Sequence, residues 1–155
     1  MMGLLRSPHL GRLLEIGCAE GWMTEALAER AEAVVAMDIS AVAVARTRQR
    51  VAHLDNVQVV QRDLVVEGLE GTFDAIVCAG VLVYLPPVAQ PLLCREMVAH
   101  LADGGHLLLE HQSHRSAGTL SAHDIHGLYH QHPSLRCVGQ VTGSEFLVAL
   151  FKKTF

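Results

Sequence analysis

An α/β fold around one largely parallel sheet is what this sequence predicts, and three observations predict it. Leu13 to Gly21 runs from an apolar strand into a glycine turn and, from Trp22, straight into helix formers. Short apolar strand patterns then alternate with helical ones as far as Leu109, the layout of a sheet whose strands are joined through crossover helices. The last two strand-like runs, Leu135 to Thr142 and Glu145 to Lys152, meet at Thr142-Gly143-Ser144, which reads as a hairpin with a two-residue Gly-Ser connection.

At 155 residues the chain has the length of one domain, and 1–155 is read as a single domain able to bury a core. Half of its residues are apolar and its mean hydropathy is positive. The apolar runs nevertheless break well short of the ~20 residues that span a bilayer, and the first strand begins too early for a signal peptide. A soluble, cytoplasmic protein is expected, as a monomer or homodimer. Cys18, Cys78, Cys94 and Cys137 are far apart with no C-x-x-C pair, which points to reduced core thiols and away from zinc or a disulfide framework. A net charge of -4 with scattered basic residues argues against a nucleic-acid footprint, so the expected partner is a small molecule.

The first turn carries the chemistry. Leu13, Leu14 and Ile16 supply the strand, and Gly17 and Gly21 let the backbone turn tightly beside a ligand that would meet backbone N–H groups at the start of a helix. The spacing G-x-x-x-G differs from the G-x-G-x-x-G of dinucleotide enzymes. Glu15, two residues before the first glycine, would repel a pyrophosphate and attract a cation. Glu15-x-Gly17-x-x-x-Gly21 resembles the first motif of class I S-adenosylmethionine-dependent methyltransferases, and the resemblance runs from Leu13 to Phe151. It implies S-adenosyl-L-methionine as cofactor and S-adenosyl-L-homocysteine as product. Cys18, Ala19 and Trp22 then belong to the cofactor turn, although an aromatic residue at a helix start is also ordinary packing. Related enzymes usually place capping helices before the first strand. Met1 to Gly11, interrupted by Ser7-Pro8, is too short for them, so the N-terminal cap is expected to be reduced or missing, in a chain either minimal or a fragment.

Ala33 to Asp38 reads as the second strand, ending in an acid seventeen residues past Gly21 (38 − 21). An acid there can accept hydrogen bonds from both ribose hydroxyls, with Ile39 beside it. Ser40 caps the following helix, Ser40 to His53, whose inward face is expected to be Ala41, Val44, Ala45, Val51 and Ala52, with Arg46, Arg48 and Arg50 solvated. Val57 to Arg62 is the third strand. By the resemblance, Asp63 accepts from the adenine amino group with Leu64 next to it; the bland alternative is a loop aspartate.

Phe73 to Ala79 is apolar enough to be a central strand. The resemblance brings Ala79 and Gly80, with the residues to Val83, to the methionine portion of the cofactor. Pro91 opens a helix carrying Leu93, Met97, Val98 and Leu101, and Asp103-Gly104-Gly105 stops it before the fifth strand, Leu107 to Glu110. A short helix is expected over Ala122 to Gln131. The sheet order implied by the resemblance is 3-2-1-4-5-7-6 with strand 7 antiparallel and helices on both faces, the Rossmann-like class I methyltransferase sheet.

Within that superfamily the chain resembles the nodulation-type (NodS-like) methyltransferases, through Leu14-Glu15-Ile16-Gly17-Cys18, the stretch Ala41 to Arg50 and Ala79-Gly80-Val81-Leu82-x-Tyr84-Leu85. Those relatives methylate an amine on a sugar oligomer. Methyl transfer to an N or O atom of a sugar or natural-product intermediate is therefore expected, and a cofactor-binding but inactive subunit is the alternative. A hydroxyl acceptor would profit from a base near neutrality, and ligands sit outside the carboxyl ends of strands, which nominates His111 first and His114 second, with Tyr84 orienting the acceptor. His123, His126 and His130 share a helix with Asp124, but no metal-motif spacing is met and no metal is expected.

Overall fold

The computed structural model describes residues 10–113 and 118–155. Seven strands, β1 (Arg12–Ile16), β2 (Ala33–Asp38), β3 (Val57–Gln61), β4 (Phe73–Ala79), β5 (Leu101–Gln112), β6 (Leu135–Thr142) and β7 (Phe146–Lys153), form one sheet in the order β3-β2-β1-β4-β5-β7-β6. β7 lies antiparallel between β5 and β6, and the other neighbours are parallel. The class I methyltransferase order implied by the resemblance is the observed one.

Helices α1 (Trp22–Ala28), α2 (Ala41–Arg50), α3 (Leu64–Glu67), α4 (Gln90–His100) and α5 (Ala122–His130) flank the sheet. Strand alternation divides the buried residues between two layers. Leu13, Val34, Ala75, Val77 and Leu108 pack with Leu27 of α1 and Val44 of α2, whereas Leu14, Ile76, Leu107 and Leu109 pack with Met97 of α4 and Ile125 and Tyr129 of α5. Such strands, buried on both faces, read as continuous apolar runs, which is why β2 and β4 have the expected limits.

Two local expectations are corrected. The buried stripe of α2 is Val44, Thr47 and Val51, while Ala41, Ala45 and Ala52 face outward. Alanine adds little apolar area, so it does not set which face turns inward. The three arginines face outward as expected, Arg46 and Arg48 exposed and Arg50 half-buried, and each also bonds the protein: Arg46 on Glu20, Arg48 on the Val59 carbonyl and Arg50 on the Glu20 carbonyl. The β6–β7 hairpin closes one residue later than expected, with the Gly143 N–H donating to the Phe146 carbonyl at 2.9 Å, so Ser144 and Glu145 form the turn. At Gly143 a Cβ would lie 2.5 Å from the Phe146 ring, so any larger residue there would have to displace that ring.

Candidate cofactor cradle

The sheet order reverses between β2-β1 and β4-β5, and in open α/β sheets that is where a crevice forms outside the carboxyl ends of the strands. Here the end of β1 enters the glycine turn. Gly17 has φ 84 and Gly21, which precedes α1, has φ 79, both in the left-handed region open to glycine. A Cβ on Gly17 would lie 2.3 Å from a methyl of Val81, so the turn and the loop after β4 approach to within one missing side chain.

The turn differs from a phosphate cradle in where its N–H groups go. Those of Gly17 and Cys18 donate to the Met37 carbonyl at 2.8 and 3.1 Å, that of Ala19 to Asp38 Oδ2 at 3.0 Å and that of Gly21 to the Cys18 carbonyl at 2.8 Å. These donors, expected to face a ligand, are taken up by the protein itself, because β2 runs parallel beside β1 and ends one residue beyond it. What faces the crevice instead is a set of charged side chains, Asp38 and Asp63 together with Arg62. Asp38 is half-buried, and Oδ1 accepts from the Ser40 N–H at 2.9 Å; each oxygen of the carboxylate keeps a lone pair. Ser40 caps α2 by accepting from the Ala43 N–H, as expected. Asp63 caps α3 with Oδ1, which accepts from Val65 and Val66, and Oδ2 stays available to a ligand.

Glu15 lies under the turn on the α1 side of β1, 1% exposed. Oε2 accepts from the Thr24 hydroxyl at 2.5 Å, and Oε1 is buried with no partner. Burial pushes its carboxyl up to about 7; the Thr24 hydrogen bond opposes the shift and the nearby Asp38 charge adds to it.

Between these groups lies a cavity of about 240 Å³, to which Gly17, Asp38, Ile39, Asp63, Leu64 and Gly80 contribute walls. Tyr84, 75% exposed, stands at its rim on the 3-10 turn Leu82–Tyr84. Glu15, Cys18, Ala19 and Gly21 frame the turn behind this wall, and Ala79 ends β4 below Gly80. Val81, within the expected stretch Ala79 to Val83, also lines the cavity, as do Arg62 and Leu85, which the sequence did not single out as site residues. Arg62 looked like the polar end of a strand, and only its pairing with Glu70 at 2.9 Å shows where its side chain is held. Trp22 is placed elsewhere: its ring lies under the Arg50 guanidinium, 3.2 Å from the centroid.

On the acceptor side the structure departs from expectation. His111 lies inside β5 with no exposed surface, and its Nδ1 is 2.9 Å from Nε2 of His126 on α5, itself 1% exposed. Residue 111 falls on the same side of the strand as Leu107 and Leu109, which turns its ring toward α5 and away from an open mouth. Burial lowers both histidines, His111 to about 4 and His126 to about 3, so both rings are neutral at physiological pH; the charges of His111, His130 and His123 add to the effect on His126. His114 lies outside the described residues. His123 and His130 are exposed while His126 is buried, and Asp124 is drawn into a capping box with Ser121.

A crevice at the sheet's reversal point, walled by two acids at strand ends, with the buried Glu15 carboxyl under its turn keeping one oxygen unpartnered, suits a ligand that offers hydroxyl and amino donors and a positive charge. That is the cradle of an α/β methyltransferase. The chain belongs to the methyltransferase domain family, whose model matches residues 13–105. It is 32% identical over 142 residues to nodulation protein S of Sinorhizobium fredii, covering 91% of this chain and 57% of that protein. To nodulation protein S of Rhizobium tropici it is 30% identical over 151 residues, covering 97% and 56%. The chain thus spans little more than half the length of these relatives. The crystal structure of N-methyltransferase NodS from Bradyrhizobium japonicum WM9 in complex with S-adenosyl-L-homocysteine is similar, with a TM-score of 0.85 and 28% identity over 98% of this chain and 84% of that one.

Proposed function

We propose that this chain is the cofactor-binding core of a small-molecule methyltransferase, carrying a methyl group from S-adenosyl-L-methionine to a nitrogen or oxygen atom of a sugar or natural-product intermediate and leaving S-adenosyl-L-homocysteine. The observation that carries the reading is Asp38, held at the end of β2 by two backbone N–H groups with its carboxylate on the crevice. In this reading it accepts from the ribose hydroxyls, Asp63 Oδ2 accepts from the adenine amino group, and Ile39 and Leu64 provide apolar walls for the base. Gly80, with open space where a Cβ would stand, lets the methionine portion come close.

When bound, the cofactor supplies an already activated methyl group, so alignment of the acceptor accounts for most of the rate. Tyr84 at the rim is the residue proposed to orient that acceptor. In this reading His111 stays in its buried ring pair with His126, and no base is assigned to it. The similarity to a protein described as an N-methyltransferase favours an amine acceptor, which can lose its proton without a strong base. Among the described residues no helix is long and apolar enough to cross a membrane. The proposal takes the protein to act in the cytoplasm, as a monomer or homodimer, on a small molecule and not on nucleic acid.

Asp38→Ala tests this reading. It is expected to weaken S-adenosyl-L-homocysteine binding by about 1.5–3 kcal/mol, the range for hydrogen bonds to a charged acceptor, as measured by calorimetry. A melting curve beside it registers what the turn loses when Ala19 and Ser40 lose their acceptor. Unchanged affinity would remove the ribose contact and the reading with it.

A further inference from the structure

We propose that Glu15 couples cofactor binding to proton release: the carboxyl holds a proton while the cradle is empty and gives it up to solvent when a positively charged ligand enters. The inference rests on the reading that the cradle binds S-adenosyl-L-methionine.

The geometry carries it. Glu15 is the last residue of the α1 face of β1 before the turn, with one oxygen on the Thr24 hydroxyl and the other buried and unpartnered. A hydroxyl can donate to a carboxylate but not neutralise it, and an ionised carboxylate with a bare buried oxygen is costly. A protonated carboxyl still accepts from Thr24, so the neutral form fits the empty site better.

The groups that face Glu15 agree. Asp38 at the end of β2 is a second negative charge, and its influence raises Glu15 further. Cys18 in the turn is itself held in its neutral thiol form by burial, with Glu15 and Asp38 adding to the effect. α1 presents Thr24, while Glu25 beside it is turned to Arg50 and His53. The register partners on β2 and β4 are Ala36 and Val77. No described residue in this set is a cation. A ligand that brings an ammonium and a sulfonium supplies the missing positive charge, and opposite charge nearby favours the carboxylate. The proton then leaves Oε1 for the buffer, and ligand and carboxylate remain.

The sign follows from linkage. Burial holds the empty-site carboxyl at about 7. Below that pH the ligand must displace a proton, so affinity falls as pH falls; above it no proton is displaced and affinity levels off. The part of the affinity due to Glu15 should therefore change by about tenfold between pH 6 and pH 8.

Calorimetry of S-adenosyl-L-methionine binding, in two buffers of different ionisation enthalpy across that pH range, counts the protons released. Glu15→Gln keeps the shape and an acceptor for Thr24 but cannot ionise. Titration of the cofactor's own amine is common to both proteins, so their difference isolates Glu15. Wild type is expected to release close to one more proton than Glu15→Gln at the acid end and none more at the alkaline end. Thr24→Val removes the hydrogen bond that favours ionisation and should move the linkage to higher pH. That variant and the wild-type buffer pair decide the matter even if Glu15→Gln does not fold. Binding by wild type without proton release at the acid end, or release that persists in Glu15→Gln, overturns the inference and leaves the cofactor assignment standing. Failure of wild type to bind at any pH overturns both.

Discussion

At the carboxyl end of β1 and at that of β5 the chain buries ionisable side chains at nearly the same depth, and the two ends treat them in opposite ways. Glu15 keeps one oxygen without a partner beneath the turn whose Gly17 lines an open cavity. His111 instead meets His126 edge-on, the rings 5.2 Å apart at 82°, in the layer that holds Leu109, Ile125 and Tyr129. In the neutral pair one ring carries its proton on the shared contact and the other accepts it, so the two tautomers are coupled and the polar contact between the rings is made without a ligand. The remaining ring atoms, His111 Nε2 and His126 Nδ1, are buried and unpartnered, but they lie in a packed layer and not on the cavity. Depth of burial therefore does not mark a binding residue. What marks it is whether the missing partner can arrive from outside.

The comparison breaks most sharply at Gly17. With a valine there, the left-handed backbone and the contact with Val81 should together cost about 2–5 kcal/mol and fill the space where turn and loop meet. Binding of S-adenosyl-L-homocysteine should be lost by calorimetry; a folded variant that still binds would move the ligand away from β1.

At the β5 end the expected loss is of stability, not of affinity. His126→Leu leaves His111 Nδ1 buried without a partner and should lower the unfolding free energy by about 1–3 kcal/mol. Adding His111→Leu should return part of that loss, since the two residues form one interacting pair. Acid acts on the same pair. The fold holds both rings neutral, and the unfolded chain takes up protons first, near the ordinary histidine value of 6.5. Their contribution is thus complete above about pH 6.5 and is lost as pH falls toward about 4. Urea titrations of wild type and the double variant over that window should diverge in this direction. A cofactor affinity that falls with the stability would show the two ends to be one site.

The smallest effect is expected at Trp22. Trp22→Ala removes an exposed ring under Arg50, a contact of about 0.5–1 kcal/mol, and should lower the melting temperature slightly while cofactor affinity holds. A tenfold loss of affinity would assign Trp22 to the cradle.

What the sequence by itself determined is whatever is decided within a few neighbouring residues. The limits of β2 and β4, the turn that only glycine can make at residues 17 and 21, the cap at Ser40 and the acids at strand ends follow from periodicity and backbone sterics, which act locally. Tertiary structure alone decided the rest. The Met37 carbonyl takes up the first two N–H groups of the turn, Val81 closes on Gly17, and Arg62 is drawn into the cavity wall. α5 brings His126 onto His111 across fifteen positions of sequence. Each of these depends on which surface a second element presents after the sheet has assembled. A polar residue in a strand reads the same whether its partner will be a ligand, a ring from another helix or nothing, because that partner lies in another part of the chain or outside it.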